Sequence, residues 1–189
     1  YTLWHTLSLH DALPISFHEF SKIKNDFNEY MYTGGFPEYV KESNPVILQE
    51  LLSGIASRDI ALRYGLKNLS LLKRIITYLI SNTGKEFSYN SLKKMFAISS
   101  VQTVIDYVSY MEDAYLIFTV PMFSYSYKKQ LINKKKVYSI DNGFSRCNSV
   151  SFSDDKKRML ENLVFVSLRR KNKQLFYYSE DAECDFLVK

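Results

Sequence analysis

The sequence predicts an α+β fold, and three patterns carry that prediction. From Glu86 to Val120, EFSYNSLKKMFAISSVQTVIDYVSYMEDAYLIFTV, apolar Leu92, Met95 and Phe96 fall at helical spacing and Ile98-Ser99-Ser100 breaks the run. Val101, Val104, Ile105, Val108 and Met111 then mark one face of a second helix, with Ser99 or Ser100 as its natural N-cap. The β-rich run Tyr115 to Val120 and a further strand near Lys136 to Ile140 turn this helix-turn-helix into a winged helix. Before this stretch the chain reads as helices alone, and after it as helix, strand, strand.

Composition agrees with a folded protein, since 46% of the 189 residues are apolar. The 25 Lys and Arg against 20 Asp and Glu leave a net charge of +5, which permits contact with nucleic acid or an acidic surface without requiring it. Cys147 and Cys184 stand far apart with no Cys-x-x-Cys or Cys/His spacing, so reduced thiols in a cytoplasm are expected and no structural zinc is implied. Apolar runs are broken by charge well short of the roughly 18 residues of a membrane span, so a soluble protein is expected.

Residues 1–16 are set aside. Thr6 to Ser16, TLSLHDALPIS, resembles one reading frame of a common sequencing adapter, whose tail GAC GCT CTT CCG ATC T translates to Asp-Ala-Leu-Pro-Ile, the residues Asp11 to Ile15. The alternative is a natural apolar arm ending at Pro14. On the adapter reading His18 is the one histidine outside the artefact, and histidine chemistry is not expected.

Residues 17–66 read as a helical connector. Phe17, Phe20, Ile23, Phe27 and Tyr30 form a helical stripe to Met31, Gly34-Gly35 stops it, and Pro37 starts a new direction. A second helix runs from Pro45, at a first-turn position, to about Tyr64. On it sit Arg58, Asp59 and Arg63, of which Asp59 and Arg63 read as a surface pair, with a phosphate-sensing arginine as the alternative. Residues 67–140 form the winged helix, opened by the helix of Leu69, Leu72, Ile76 and Leu79 and closed by Asn82-Thr83-Gly84. Gly84-Lys85 is followed by Glu86 and preceded at position 79 by Leu, so the chain carries no phosphate loop and no ATP site.

If the second helix of the winged helix enters a DNA groove, its outer residues Gln102, Thr103, Asp106 and Tyr110 meet the duplex. That face carries no Arg or Lys, and Asp106 repels phosphate. The cations lie in Lys128, Lys129, Lys134, Lys135 and Lys136, interleaved with Tyr125, Tyr127 and Tyr138, which suits backbone contact without sequence reading. A solvated charged turn in a protein-contact module is the competing account.

In residues 141–189, Asp141-Asn142-Gly143 reads as a tight turn. Asp154 and Asp155 cap a helix to about Arg170 that contains Glu161, and Gln174 to Ser179 is a strand. After Glu180-Asp181-Ala182, alternation puts Glu183 and Asp185 on one strand face and Cys184, Phe186 and Val188 on the other.

The pieces GGFPEYV, ASRDIALRYGL, FSYNSLKKMF, TVIDYVSYMEDAYLIF, KKVYSIDNG, ENLVFVSLRR and ECDFLV, in this order, resemble the C-terminal half of a large prokaryotic family of AAA-type ATPases. The resemblance covers Phe17 to Lys189. It implies an ATPase module upstream of this chain, then connector and winged helix, then a truncated restriction-endonuclease-like domain similar to PD-(D/E)xK nucleases. By that resemblance Glu161 and Asp185 are two of the Mg²⁺ ligands of the intact parent, and the Glu-x-Lys strand that completes the site lies past Lys189. Lys189 itself lacks the acid two residues before it, since that position is Leu187. ATP and Mg²⁺ are implied for the parent and no cofactor for this chain. The expected function is therefore an accessory, DNA-associated part of an AAA-type ATP-binding protein, with double-stranded DNA and the ATPase module as partners and oligomerisation open. A Mg²⁺-dependent nuclease and a protein-interaction module of a regulatory ATPase are the alternatives.

Overall fold

The computed structural model describes residues 13–150, 155–171, 174–179 and 182–189. Among them the chain is a mixed α+β structure of ten α-helices, one π-helical segment and two small antiparallel sheets. The expected Phe17 to Met31 helix is divided into α1 (Phe17–Phe20) and α2 (Phe27–Thr33), because Asp26 caps a fresh start by accepting from the Glu29 N–H. Gly34, at φ 72°, ends α2, and Pro37 opens α3 (Pro37–Glu42). Pro45 opens α4 (Pro45–Gly54), which runs on as the π-helical segment Ile55–Leu62. The wider winding carries residues four apart off a common line, and Asp59 and Arg63 form no ion pair among the described residues.

Next come α5 (Leu69–Ser81), β1 (Glu86–Phe87), α6 (Tyr89–Met95) and α7 (Val101–Asp113). Ser88 and Ser100 cap the last two helices. β2 (Ile117–Pro121), α8 (Tyr127–Ile132) and β3 (Lys135–Ser139) follow. Neither β1 nor α8 was expected. A two-residue strand is too short to show a period, and α8 lies inside the lysine-rich stretch. The sheet order is β1-β3-β2, with Glu86 opposite Lys136 and Ile117 opposite Ser139. Leu72, Ile76, Leu79, Val104, Val108, Met111, Ile117 and Val137 share one buried core beneath it.

Asp141-Asn142-Gly143 is not a tight turn. Asp141 is the N-cap of α9 (Asn142–Asn148), its Oδ1 accepting the Phe144 N–H at 2.9 Å, while its Oδ2 accepts the Gly35 N–H at 2.7 Å. A Cβ on Gly34 would lie 2.0 Å from Asp141 Oδ1, and one on Gly143 would lie 1.8 Å from the Thr33 carbonyl oxygen, so both positions need glycine. Asn142 donates to the carbonyls of Met31 and Met159, at 2.9 Å each. Buried Asn162, on α10 (Lys156–Lys171), donates to Asn142 Oδ1 at 2.9 Å and accepts the Ser139 N–H at 3.0 Å. The connector, β3 and α10 are thereby tied through one buried polar network.

β4 (Leu175–Ser179) and β5 (Glu183–Val188) close the fold as an antiparallel hairpin, attached to the end of β2 by the Phe123 N–H donating to the Tyr177 carbonyl at 2.7 Å. Asp155 caps toward the Arg158 N–H as expected, and Asp154 lies outside the described residues. Pro14 to Ser16, from the adapter-like stretch, are tied in. Ile15 N–H donates to the Gly35 carbonyl at 2.7 Å, Arg170 donates to the Pro14 carbonyl at 2.6 Å, and Ser16 forms a capping box with Glu19. Among the described residues no helix is long and apolar enough to cross a membrane.

Burial pushes the Asp141 carboxyl up to about 6, against the backbone N–H groups of Phe144, Gly35 and Gly143 that favour its charged form. A folded value above the unfolded 3.8 means that its contribution to stability is full below 3.8 and is lost as pH rises through about 6. Asp141→Asn, which sets an amide NH₂ against a buried backbone N–H, is expected to cost about 1–3 kcal/mol in urea unfolding. The wild-type advantage over this variant should shrink as pH rises through about 6.

Candidate functional site

β3 is the central strand and is covered on both sides, so Lys136 and Tyr138, two residues apart, face the same way. They face α10 and the hairpin. Lys136 is 6% exposed, and its Nζ donates to Asp185 Oδ1 at 2.6 Å and to Glu161 Oε1 at 3.2 Å. The same Glu161 oxygen accepts the Tyr138 hydroxyl at 2.7 Å, and the Tyr177 ring lies 5.6 Å from the ammonium. The two acids that the sequence pairs, Glu161 and Asp185, are thus brought to one point, and what joins them is a lysine.

Asp185 reaches that point through a β-bulge. Phe176 lies opposite Leu187 and Tyr178 opposite Cys184, so Asp185 and Phe186 together oppose Tyr177. The bulge breaks the alternation expected along β5. Phe186 packs 5.4 Å from the Tyr138 ring and 6.3 Å from Phe165, while Cys184 is exposed. Tyr138 and Phe165 are stacked 4.4 Å apart and form the floor of the cluster.

Burial alone would lower the Lys136 ammonium, but the hydrogen bond it donates to Asp185 and the attraction of Glu161 override it, so its pKa is raised. Burial and the bond to Glu161 hold the Tyr138 phenol well above its usual range. This ammonium stays charged at neutral pH. The Mg²⁺ expectation can be tested against these side chains. An octahedral ion needs several oxygen ligands, the two carboxylates already bind a cation, and among the described residues no three His, Cys, Asp or Glu side chains are grouped to hold a metal. The residues present do not fit Mg²⁺.

The lysines expected to contact DNA separate into three environments. Lys128 and Lys129 are exposed on α8, and Lys134 is exposed while donating to Glu86 at 3.1 Å. Lys136, contrary to expectation, is no part of the cationic surface: it is withdrawn into the cluster described above, where its ammonium is neutralised by two acids. Lys135 is half-buried in a cleft of about 320 Å³ between β2, α8, α10 and β4, where Glu112, Tyr127, Gln130 and Arg169 also line the wall. Its ammonium makes one long bond, 3.4 Å to the Gln130 carbonyl, and burial lowers its pKa. Glu112 accepts the N–H and the hydroxyl of Thr119 at 2.8 and 2.9 Å, yet burial raises its carboxyl. No sequence signal marked Glu112. On α7, Gln102 is exposed and Thr103 half-exposed, and the Gln102 amide is spent on Asp106 at 2.8 Å.

The chain belongs to a family defined as a domain of unknown function, DUF8612, whose model matches residues 24–154. It is 36% identical to an uncharacterized protein of Methanocaldococcus jannaschii, MJ1544, over 94% of this chain and 46% of that protein. It is also 29% identical to an uncharacterized protein of Haemophilus influenzae, over 93% of this chain and 48% of that protein. The chain spans about half the length of the curated relatives it matches. No solved structure matches it.

Lys136→Met leaves Glu161 buried without its counter-charge and is expected to cost about 3–5 kcal/mol. Adding Glu161→Leu should recover part of that loss, which a double-mutant cycle by urea unfolding measures. Millimolar Mg²⁺ should leave the wild-type melting temperature unchanged, a result thermal denaturation with and without the ion would check.

Proposed function

We propose that this chain is an accessory part of an AAA-type ATP-binding protein, and that its middle segment is a winged helix that contacts DNA through the backbone. The carrying observation is topological. α5, β1, α6, α7, β2 and β3 follow in the order helix, strand, helix, helix, strand, strand, and the strands assemble as β1-β3-β2 around the α6–α7 pair. A helix-turn-helix backed by such a sheet supports the winged-helix reading. α8 then occupies the wing, and Lys128, Lys129 and Lys134 are its solvent-facing cations. The seven ordered blocks in the sequence support the ATPase parentage, and the unmatched half of the relatives leaves room for an ATPase module beside this segment.

The order α10, β4, β5 and the convergence of Glu161 and Asp185 support a nuclease-like relationship for residues 141–189. They do not support metal-dependent cleavage by the side chains present, since Lys136 takes the place between the acids. In this reading the C-terminal part is a structural buttress behind β3.

DNA contact of this kind is independent of sequence and steeply dependent on salt. Replacing Lys128, Lys129 and Lys134 together by Ser should abolish most duplex affinity at low salt and flatten the salt slope by about 0.9 per lost phosphate contact, measured by fluorescence anisotropy on a labelled duplex. Unchanged affinity would leave the protein-interaction account in its place.

A further inference from the structure

We propose that the cleft beside α8 holds an unpaired base, so that the nucleic acid this chain prefers is single-stranded DNA. The inference rests on the DNA-contact function above and names the form of nucleic acid that the same surface takes.

Duplex reading by α7 is poorly provided for. Its outer face has no cation, and the one amide that could read a base, Gln102, is closed onto the carboxylate of Asp106 at 2.8 Å. The cations and the exposed rings lie together elsewhere, on and around α8. Tyr125 is 98% exposed and Tyr127 72% exposed, and flat rings held out in water beside lysines are what a single strand uses as a stacking platform. Duplex DNA keeps its base faces stacked internally and has no use for them.

The cleft gives the platform an interior. Tyr127, Gln130 and Leu131 bring one side of α8 to its wall, so that Tyr127 stands at its rim, while Lys128 and Lys129 follow on the exposed side of the same helix. At about 320 Å³ the cleft has the size of small-molecule sites. Its lining suits a nucleotide part by part. Phe118, Phe165 and Phe176 supply apolar ring surface, and Glu112 accepts only from N–H or O–H groups such as the ring N–H of thymine. Gln130 and Gln174 add amide groups, and the Arg169 guanidinium lies over the Phe118 ring at 5.5 Å. Lys135 is the phosphate contact, an ammonium with three donors that meets the Gln130 carbonyl at 3.4 Å and lies 5.9 Å from the Tyr89 ring centre. A strand crossing α8 would set phosphates on Lys128 and Lys129 and turn one nucleotide inward onto Tyr127 and Lys135.

The test is fluorescence anisotropy of the full chain with a labelled oligothymidylate and with a labelled duplex of the same length, at matched salt. The expected result is tighter binding of the single strand. Tyr127→Ala should weaken the strand by roughly fivefold or more, the lower bound for one stacked base, and leave the duplex unchanged. Lys135→Met should weaken the strand and reduce its salt slope by about 0.7, one phosphate on a single strand, while Lys135→Arg retains binding. Both side chains are at least partly exposed, and circular dichroism melting confirms that each variant is folded. Equal or tighter duplex binding, or a strand affinity indifferent to Tyr127→Ala, overturns the proposal and leaves the DNA-contact function standing. Failure of both nucleic acids to bind removes both.

Discussion

One buried carboxylate holds the chain's distant parts in register. Asp141 caps α9 with one oxygen and grips the Gly35 amide with the other, so a single side chain joins the connector to the strand leaving the three-stranded sheet. The approach is so close that neither Gly34 nor Gly143 can carry a side chain. Asn142 and Asn162 extend the same network to α2 and α10. Among the described residues no buried side-chain nitrogen or oxygen lacks a partner, which matters because an unmatched buried polar group costs more than a hydrogen bond contributes.

The second constraint lies at β3 itself, through the neighbouring residue of α10, Glu161. Because β3 is central, its residues must be accommodated on both sides, and Lys136 is a charge placed where a hydrocarbon would ordinarily sit. It is tolerated because Glu161 arrives from α10 and Asp185 from the bulged hairpin, with the stacked pair Tyr138 and Phe165 excluding water below. A buried ion pair is weak evidence of added stability, but removal of Lys136 or of Glu161 leaves the other's charge buried and less compensated. The hairpin is fixed against β3 by this pairing as well as by the bond from Phe123 to Tyr177.

Function follows from where these two constraints leave charge uncommitted. The polar networks consume Asp141, Lys136, Glu161 and Asp185, the groups that look most like chemistry in the sequence. In the proposed reading a ligand meets the α8 surface and the cleft behind it, built from residues with ordinary local signals.

Local pattern by itself determined much of this protein. A cap at Ser99 or Ser100, the stop at Gly34, the starts at Pro37 and Pro45, and the apolar faces of α5 and α7 all follow from interactions within a few residues. The same pattern placed β2, β3, α10, β4 and β5 within a residue or two, while Glu161 and Asp185 were paired only by resemblance to a known family. It could not supply their partner, because Lys136 looks like the neighbouring lysines until the sheet puts β3 in the middle. Nor could it show that Asp141 is a cap rather than a turn residue, or that Asp185 leaves its expected face. A cap bond to Gly35 spans 106 residues, and a bulge is a mismatch between two strands, so neither exists until the chain has folded back on itself.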